Sequence, residues 1–337
     1  MRRFIALFLM LILAVTPAAA KNPPPGTGSA NVPANILIML DTSGSMSIAD
    51  APSNWVHRPT DVAVDSSGNV YVAEPDTYSV KKFNSGGALI TQWGGYGSGD
   101  GQLSSLYSIA VDSGGNVIVS TYYDGRLKKF DGNGRFITQF GGNWYFGYPM
   151  GVAVDSSRNI YVADTWNNRI QKLDSNGQFI TKWGRSGSDN GQFHHPRGVA
   201  VDSSGNVYVA DTDSNRIQKF GSNGQFITKW GGGGTNNGQF NVPTDVAVDS
   251  SGNVYVTDMY NYRIQKFDSN GQFITKWGGS GSGNGQFASP CAVTVDGSGN
   301  VFVVDRDNNR IQKFDSNGTY LATIGGSPKS GWIRPRR

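Results

Sequence analysis

The clearest hydrophobic pattern in the chain is a set of short apolar runs separated by turn residues, well seen in residues 196–231. Each run is four or five residues long and rich in β-branched and aromatic side chains. Runs of this length and composition predict β-strands. The four runs are GVAV (198–201), NVYVA (206–210), RIQKF (216–220) and FITKW (226–230).

The segments between the runs have the composition of tight turns. Asp202 to Asn206, DSSGN, suits a short hairpin loop that contains glycine. Asn223-Gly224 suits a two-residue hairpin turn, because both residues adopt positive φ at low cost. The unit is therefore predicted to be a four-stranded antiparallel meander.

This unit recurs along the chain. The Asp that ends its first strand occurs at intervals of 47, 43, 47, 47 and 47 residues, a period typical of solenoids and propellers. The inner strands are apolar on both faces, so each sheet needs a neighbour on either side, and a closed ring provides one. The predicted fold is all-β, a six-bladed β-propeller of four-stranded antiparallel blades. The repeated residues are Asp65, Asp112, Asp155, Asp202, Asp249 and Asp296.

The way in which the ring closes is also predicted. Each unit has an outermost strand of its own, including residues 319–324 in the last unit. We therefore expect blade 1 to pack face to face against blade 6, without a strand borrowed from the N-terminal region. The alternative is that residues 35–40, NILIML, add to a sheet edge.

Composition favours one large all-β body, because 46 of the 337 residues are Gly and only 16% are charged. Residues 1–20 predict a cleaved signal peptide, with two arginines, an apolar stretch too short to span a bilayer, and small residues at its end. No other membrane segment is expected. The protein is thus predicted to be exported to the periplasm, the cell surface or the extracellular space. Its single cysteine, Cys291, excludes an intramolecular disulfide.

The net charge of +4 raises the question of nucleic-acid binding. The excess of basic residues lies at the two ends, including a basic tail at residues 327–337, whereas the repeats at residues 54–326 are close to neutral. A nucleic-acid footprint would need a basic patch on the folded body. Nucleic acid is therefore not expected as a partner, and a protein, peptide or glycan is expected instead. The protein is expected to be monomeric.

The motifs Pro-x-Gly-Val-Ala-Val-Asp, Gly-Asn-Val-Tyr-Val-Ala-Asp and Asn-Arg-Ile-Gln-Lys-Phe-Asp resemble the NHL repeat, nearly letter for letter in blades 3 to 6. Blades 1 and 2 depart from it, since Glu74 and Thr121 replace the Asp that ends the second strand and Val80 replaces an Arg. The resemblance implies a propeller. It implies little about function, because members of the family include scaffolds, RNA readers, sensor domains and lyases.

Residues 21–53 are predicted to be a linker that contains a second resemblance. NILIMLDTSGSM, residues 35–46, is similar to the first strand and metal-adhesion motif of a von Willebrand factor A domain. Asp41, Ser43 and Ser45 supply the oxygen ligands that hard cations such as Mg²⁺ or Ca²⁺ favour. The family completes the site with a Thr and an Asp from later loops, for which this chain has no room. We expect an incomplete site without a bound cofactor, in a truncated or recombined gene product; the alternative is a linker that resembles the motif by chance.

The loops that enter each first strand, and those between the second and third strands, differ from blade to blade. In a meander both sets lie on one face of the ring, so their aromatic and basic residues are predicted to cluster around one channel mouth. Such residues suit peptide or glycan contact; the alternative is a set of solvated loops. The predicted ligand-binding residues are Tyr122, Tyr123, Trp144, Tyr145, Trp166, His194, His195, Arg197, Tyr260 and Arg306.

Residues that are identical in several blades are better explained by a role in folding than by a role in ligand binding. The Asp that ends the second strand stands five residues before an Arg in blades 3 to 6, at Asp164, Asp211, Asp258 and Asp305. Each is predicted to be a turn-capping carboxylate that faces this Arg.

Catalysis is the alternative function. His57, His194 and His195 are the only histidines, and His57 and His194 occupy equivalent loops on opposite sides of the ring, which disfavours a shared zinc. Asp61 and Asp245 are candidates to face the channel, whereas Cys291 is predicted to be inert. We therefore expect a secreted, non-enzymatic binding or protein-interaction module that uses the loop-rich face. The second hypothesis is a metal-dependent hydrolase or lyase with its site in the channel.

Overall fold

A computed structural model describes residues 54–142 and 145–326. Over these residues the chain forms six sheets of four antiparallel strands, and the strands of each sheet are consecutive in sequence. The predicted fold class, a six-bladed β-propeller, is confirmed. Within the described residues no helix is long and apolar enough to cross a membrane.

The strands follow one another blade by blade. Blade 1 contains β1 (Asp61–Val64), β2 (Val70–Glu74), β3 (Ser79–Phe83) and β4 (Leu89–Gly94). Blade 2 contains β5 (Leu106–Val111), β6 (Val117–Thr121), β7 (Arg126–Phe130) and β8 (Phe136–Gly141). Blade 3 contains β9 (Pro149–Val154), β10 (Ile160–Asp164), β11 (Arg169–Leu173) and β12 (Phe179–Trp183).

The second half of the ring has the same order. Blade 4 contains β13 (Pro196–Val201), β14 (Val207–Asp211), β15 (Arg216–Phe220) and β16 (Phe226–Gly231). Blade 5 contains β17 (Pro243–Val248), β18 (Val254–Asp258), β19 (Arg263–Phe267) and β20 (Phe273–Gly278). Blade 6 contains β21 (Pro290–Val295), β22 (Val301–Asp305), β23 (Arg310–Phe314) and β24 (Tyr320–Gly325). Short 3-10 helices join the second and third strands at Pro75–Thr77, Thr165–Asn167, Thr212–Ser214, Met259–Asn261 and Arg306–Asn308.

Burial follows the position of a strand within its blade. Every residue of β14 and β15 is buried, whereas β16, the outermost strand of the same blade, alternates between partly buried and exposed residues. The inner strands are covered on both faces because each blade is packed between two neighbours. Ile217 of blade 4, for example, shares one apolar cluster with Val254 and Phe267 of blade 5.

Blades 1 and 6 close the ring by the same packing. Val70 and Phe83 of blade 1 share an apolar cluster with Phe302 and Ile311 of blade 6. Complete burial of side chains of this size contributes roughly 1.5–3 kcal/mol each. The predicted closure is confirmed for the described residues, since all four strands of blade 6 come from residues 290–325.

The prediction of a two-residue turn at Asn223-Gly224 is wrong. The Gly224 N–H donates to the Gly221 carbonyl (2.9 Å), the Gly221 N–H donates to the Gln225 carbonyl (2.8 Å), and of Asn223 and Gly224 only Gly224 has a positive φ, 86°. The loop is therefore a longer turn followed by a left-handed glycine. A Cβ on Gly224 would lie 2.6 Å from the Trp183 ring of blade 3, so packing between blades also requires glycine here.

The Asp that ends the second strand faces the Arg, as predicted, but it does not cap the turn between the second and third strands. Its side chain makes no capping hydrogen bond to the 3-10 helix that follows and holds the loop that enters the blade instead. In blade 4 the Asp211 carboxylate accepts the Arg216 Nε–H (2.7 Å) and the His194 backbone N–H (2.7 Å). Arg216 donates to three backbone carbonyls of the same loop.

In blade 1 the residue paired with Glu74 across the strands is Ser79, so Ser79 replaces the Arg, and the prediction that Val80 does so is wrong. Glu74 instead forms an ion pair with Lys81, 3.3 Å away.

Candidate functional site

The innermost strand of each blade lines a central channel with a cavity of about 290 Å³. The loop that enters this strand lies at the same end of the blade as the turn between the second and third strands, because the strands are antiparallel. We call the end of the propeller formed by these two sets of loops the loop face. We call the end of the channel at this face, where the innermost strands begin, the channel mouth.

One repeat position in the channel varies between blades in a way that changes the contacts between blades. It is occupied in order by Asp61, Ser108, Gly151, Gly198, Asp245 and Ala292. Asp61 accepts the Ser108 hydroxyl (2.6 Å) and the backbone N–H of Ile109 (2.8 Å). Asp245 accepts the backbone N–H of Val293 (2.9 Å) in the next blade. Both carboxyl groups thus line the channel, as expected, and each joins two neighbouring innermost strands.

Burial controls the ionisation of this carboxyl pair. It raises the pKa of Asp61 to about 6, although three hydrogen bonds to the carboxyl group oppose the change. Burial also raises the pKa of Asp245 well above its usual value, and the negative charge of Asp61 raises it further. Both carboxyl groups therefore ionise at higher pH than exposed carboxyl groups do, and the charge of one disfavours the charge of the other.

The channel mouth brings together Tyr107 of blade 2, Arg197 of blade 4 and Cys291 of blade 6, which occupy equivalent repeat positions. Arg306 starts the 3-10 helix between β22 and β23 at the same end. The Nε atoms of Arg197 and Arg306 are both inaccessible to solvent and have no hydrogen-bond partner. Burial raises the pKa of the Cys291 thiol, so Cys291 is protonated at neutral pH and of low reactivity, as predicted.

A continuous row of rings runs over the loop face from the channel mouth across blades 2, 3 and 4. Neighbouring ring centroids are 4.6–6.0 Å apart, within the range of favourable aromatic contacts. Tyr123 and Trp166 are 67% and 58% exposed, so the row offers rings to solvent. We call this group the aromatic row; it consists of Tyr107, Tyr122, Tyr123, Tyr148, Trp166 and His195.

The structure separates the predicted ligand-binding residues into three groups. Tyr122, Tyr123, Trp166 and His195 belong to the aromatic row, and Arg197 and Arg306 stand at the channel mouth. His194, Tyr145 and Tyr260 lie outside both: Tyr145 packs edge-on against Phe146 at 4.8 Å, and Tyr260 has no ring contact among the described residues. Trp144 and the predicted metal ligands Asp41, Ser43 and Ser45 lie outside the described residues.

Two members of the aromatic row, Tyr107 and Tyr148, were not among the predicted site residues. Tyr148 immediately precedes the first residue of β9 and has a left-handed backbone, φ 53°. Tyr107 is the second residue of β5, in the channel lining. Superposition of the repeats would have drawn attention to both, since neither position keeps one residue type through the blades. The first is occupied by Thr60, Tyr107, Met150, Arg197, Thr244 and Cys291, and the second by Arg58, Ser105, Tyr148, His195, Val242 and Ser289.

The histidines do not form a metal site within the described residues. The backbone N–H of His57 donates to the Glu74 carboxylate (3.2 Å), and the backbone N–H of His194 donates to the Asp211 carboxylate. His57 and His194 therefore occupy equivalent loops in blades 1 and 4. The His195 ring is 2.6 Å from the Asp213 carboxylate. Residues 54–142 and 145–326 contain no group of three or more His, Cys, Asp and Glu side chains arranged to hold a metal ion.

Comparison with known proteins agrees with this architecture. Four segments match the NHL repeat, residues 146–173, 193–220, 240–267 and 287–314, and they fall in blades 3 to 6. The resemblance to the NHL repeat is thereby confirmed for these four blades. No curated protein matches the chain in sequence.

Several solved structures share the fold at low sequence identity. A streptogramin B lyase has a TM-score of 0.60 and 14% identity, covering 82% of this chain and 86% of the other. A nidogen/laminin complex has a TM-score of 0.60 and 17% identity, with coverages of 76% and 93%. A structural genomics protein of unknown function from Bacteroides thetaiotaomicron has a TM-score of 0.62 and 18% identity, with coverages of 78% and 70%. At these identities the likeness concerns the fold alone.

Proposed function

We propose that the protein is an exported, non-enzymatic binding module that takes a protein or peptide segment on its loop face. The observation that carries this proposal is the aromatic row, in which rings from three adjacent blades are in contact and two of them, Tyr123 and Trp166, are exposed. Tyr and Trp, together with Arg, are the residues that most often dominate the energy of protein interfaces.

The propeller itself does not require these rings. The position of Trp166 is occupied by Asp213 in blade 4 and by Asp307 in blade 6, each of which forms the same strands and the same 3-10 helix. An exposed aromatic side chain at a position where the fold accepts Asp is better explained by contact with a ligand than by stability.

The relative tilt of the rings favours a peptide over a flat ligand. Tyr107 and Tyr122 are inclined by 27°, Tyr148 and Trp166 by 54°, and Tyr123 and Tyr148 by 83°. Such rings form a corrugated surface, which suits side chains of different shapes. Among the proteins that share the fold, one is named in a complex between two proteins and another is a lyase.

Selection from a phage-displayed library of random heptapeptides tests the proposal, with a glycan array in parallel. Peptides selected on the wild-type protein should bind Trp166→Ala and Tyr123→Ala at least tenfold more weakly. Phe179→Ala is the matched control, because Phe179 is also half-exposed (50%) but lies on the outermost strand of blade 3. Equal loss in the control, or selection of glycans without peptides, would contradict the proposal.

A metal-dependent hydrolase or lyase remains the second candidate. It is favoured by the two buried carboxyl groups in the channel, whose pKa values are both raised. Metal analysis of the purified protein separates the two functions. One Ca²⁺, Mg²⁺ or Zn²⁺ per chain, retained by the wild type and lost in Asp61→Asn, would favour the enzyme.

A further inference from the structure

The channel mouth contains two guanidinium groups whose hydrogen-bonding capacity is incompletely used. We propose that Arg197 and Arg306, with the Tyr107 hydroxyl, bind a carboxylate of the peptide ligand at the point where the aromatic row meets the channel. This inference rests on the proposed function, because it assigns a chemical class to the ligand of the same face.

These two arginines differ from those of the repeat. The Nε–H of each repeat arginine donates to an Asp carboxylate at 2.6–2.8 Å. In contrast, Arg197 and Arg306 have no ion-pair partner within the described part of the chain, and their Nε atoms are shielded from solvent without an acceptor. Both side chains are nevertheless partly exposed, so a bound ligand can contact the guanidinium groups and supply an acceptor for them. The repeat arginines are Arg169, Arg216, Arg263 and Arg310.

Tyr107 connects the two charges. Burial has the largest effect on its hydroxyl and raises its pKa, while the positive charges of Arg197 and Arg306 oppose that change. Both guanidinium groups therefore act on the same phenol, although they come from blades 4 and 6. The phenol stays protonated at neutral pH and remains a hydrogen-bond donor. Its ring stacks on Tyr122 at 6.0 Å and 27°, so the same residue begins the aromatic row.

The acidic residues of the channel do not neutralise this site. Asp61 already accepts a hydroxyl and two backbone N–H groups, and Asp245 accepts a backbone N–H from blade 6. Burial and the Asp61 charge favour the protonated form of Asp245. Both channel carboxyl groups thus already hold internal hydrogen-bond donors, and neither is paired with Arg197 or Arg306 within the described residues.

The size and chemistry of the mouth favour a carboxylate on a peptide. Arginine presents planar, paired donors that match a carboxylate, and a lysine would not. A cavity of about 290 Å³ admits a side chain or a chain end rather than a folded surface. The carboxylate is therefore that of a peptide C-terminus or of an Asp or Glu side chain, with the adjoining residues on the aromatic row.

Fluorescence polarisation with labelled hexapeptide pools distinguishes the two sources. One pool has a free C-terminus and no Asp or Glu, a second is amidated and contains Asp or Glu, and a third is amidated and neutral. We expect one of the acidic pools to bind at least tenfold more tightly than the neutral pool. Arg197→Gln and Arg306→Gln should remove this difference, and Arg197→Lys should restore it only in part.

Arg185→Gln is the matched control, because Arg185 is an exposed arginine in the loop that leads into blade 4, outside the channel lining. Thermal melting by circular dichroism confirms that each variant is folded. Equal binding of the acidic and neutral pools would overturn the carboxylate site. It would also be overturned if Arg185→Gln lost the preference for acidic pools as fully as Arg197→Gln and Arg306→Gln do. Preference for an acidic oligosaccharide, such as a hexuronic-acid chain, over all peptide pools would overturn the assignment to a peptide.

The outcomes also separate this inference from the proposed function. Binding that is lost in Trp166→Ala but shows no preference for acidic pools leaves the aromatic row as a binding surface and removes the carboxylate site. Binding that depends on Arg197 but not on Trp166 supports the carboxylate site and removes the row. If no pool binds the wild-type protein, both proposals fail.

Discussion

Gly198 lies so close to Asp245 that a Cβ at position 198 would be 2.5 Å from both the Cα and the Oδ1 of Asp245. The two residues occupy equivalent repeat positions in the innermost strands of blades 4 and 5. The φ of Gly198 is not in the left-handed region, so it is the approach of the two strands, and not the backbone conformation, that requires glycine here.

Gly198→Ala should therefore destabilise the protein by roughly 1–3 kcal/mol, because strands that line the channel must move apart. Urea denaturation followed by tryptophan fluorescence measures the loss. Gly297→Ala is the control, since a Cβ there would meet no atom within 4 Å and the residue has no positive φ. Similar losses in the two variants would show that close packing at Gly198 is not the cause.

Asp245→Asn should flatten the pH dependence of stability. The pKa of Asp245 is raised in the folded protein, so the native state holds a proton that the unfolded chain releases above about pH 4. Stability from this group is therefore fully present at low pH and declines as the pH rises through the folded pKa. Asparagine keeps an oxygen for the Val293 N–H and has no charge to bury.

The gain of Asp245→Asn over wild type should thus be larger at pH 8 than at pH 5, by about 1 kcal/mol or more. Denaturation curves at the two pH values measure it. If the stability of Asp245→Asn changed between pH 5 and pH 8 by the same amount as that of the wild type, Asp245 would not retain a proton in the folded protein.

Asp211→Ala should cost about 3–5 kcal/mol, because it leaves the buried Arg216 without its carboxylate and the His194 N–H without its acceptor. Asp213→Ala, in the same blade, removes a pair with His195 in which both side chains are nearly half exposed. It should cost less than about 1 kcal/mol. Thermal and urea unfolding of both variants tests the contrast; equal costs would argue against a structural role of the buried pair.

Val242→Asn should stabilise the protein. Val242 has φ 59°, a left-handed conformation that is unfavourable for a β-branched residue and tolerated by asparagine. A gain of about 1 kcal/mol is expected, measured as a higher melting temperature. Ser105→Asn is the control, because Ser105 has the same conformation, φ 56°, without β-branching. If its gain equals that of Val242→Asn, the β-branch of Val242 is not the source of the gain.

The repeat made most of the fold predictable. The four apolar runs of residues 196–231 form the four strands of one blade. They could be predicted because hydrophobic alternation and turn composition are local properties, and each copy of the repeat shows them again. The pairing of Asp211 with Arg216 was predictable for the same reason. The form of the hairpin at Asn223-Gly224 was not predictable, since this sequence suits both a two-residue turn and a longer turn followed by a left-handed glycine.

The sequence alone therefore determined the number of blades, their strand order and the loops that share a face. It did not distinguish Trp166 from Tyr260, which occupy equivalent repeat positions and are similarly exposed. Only the tertiary structure shows that Trp166 meets Tyr148 at 5.0 Å and His195 at 5.9 Å. The physical reason is that strand formation depends on neighbours along the chain, whereas contact between loops depends on how closely the ring brings adjacent blades together.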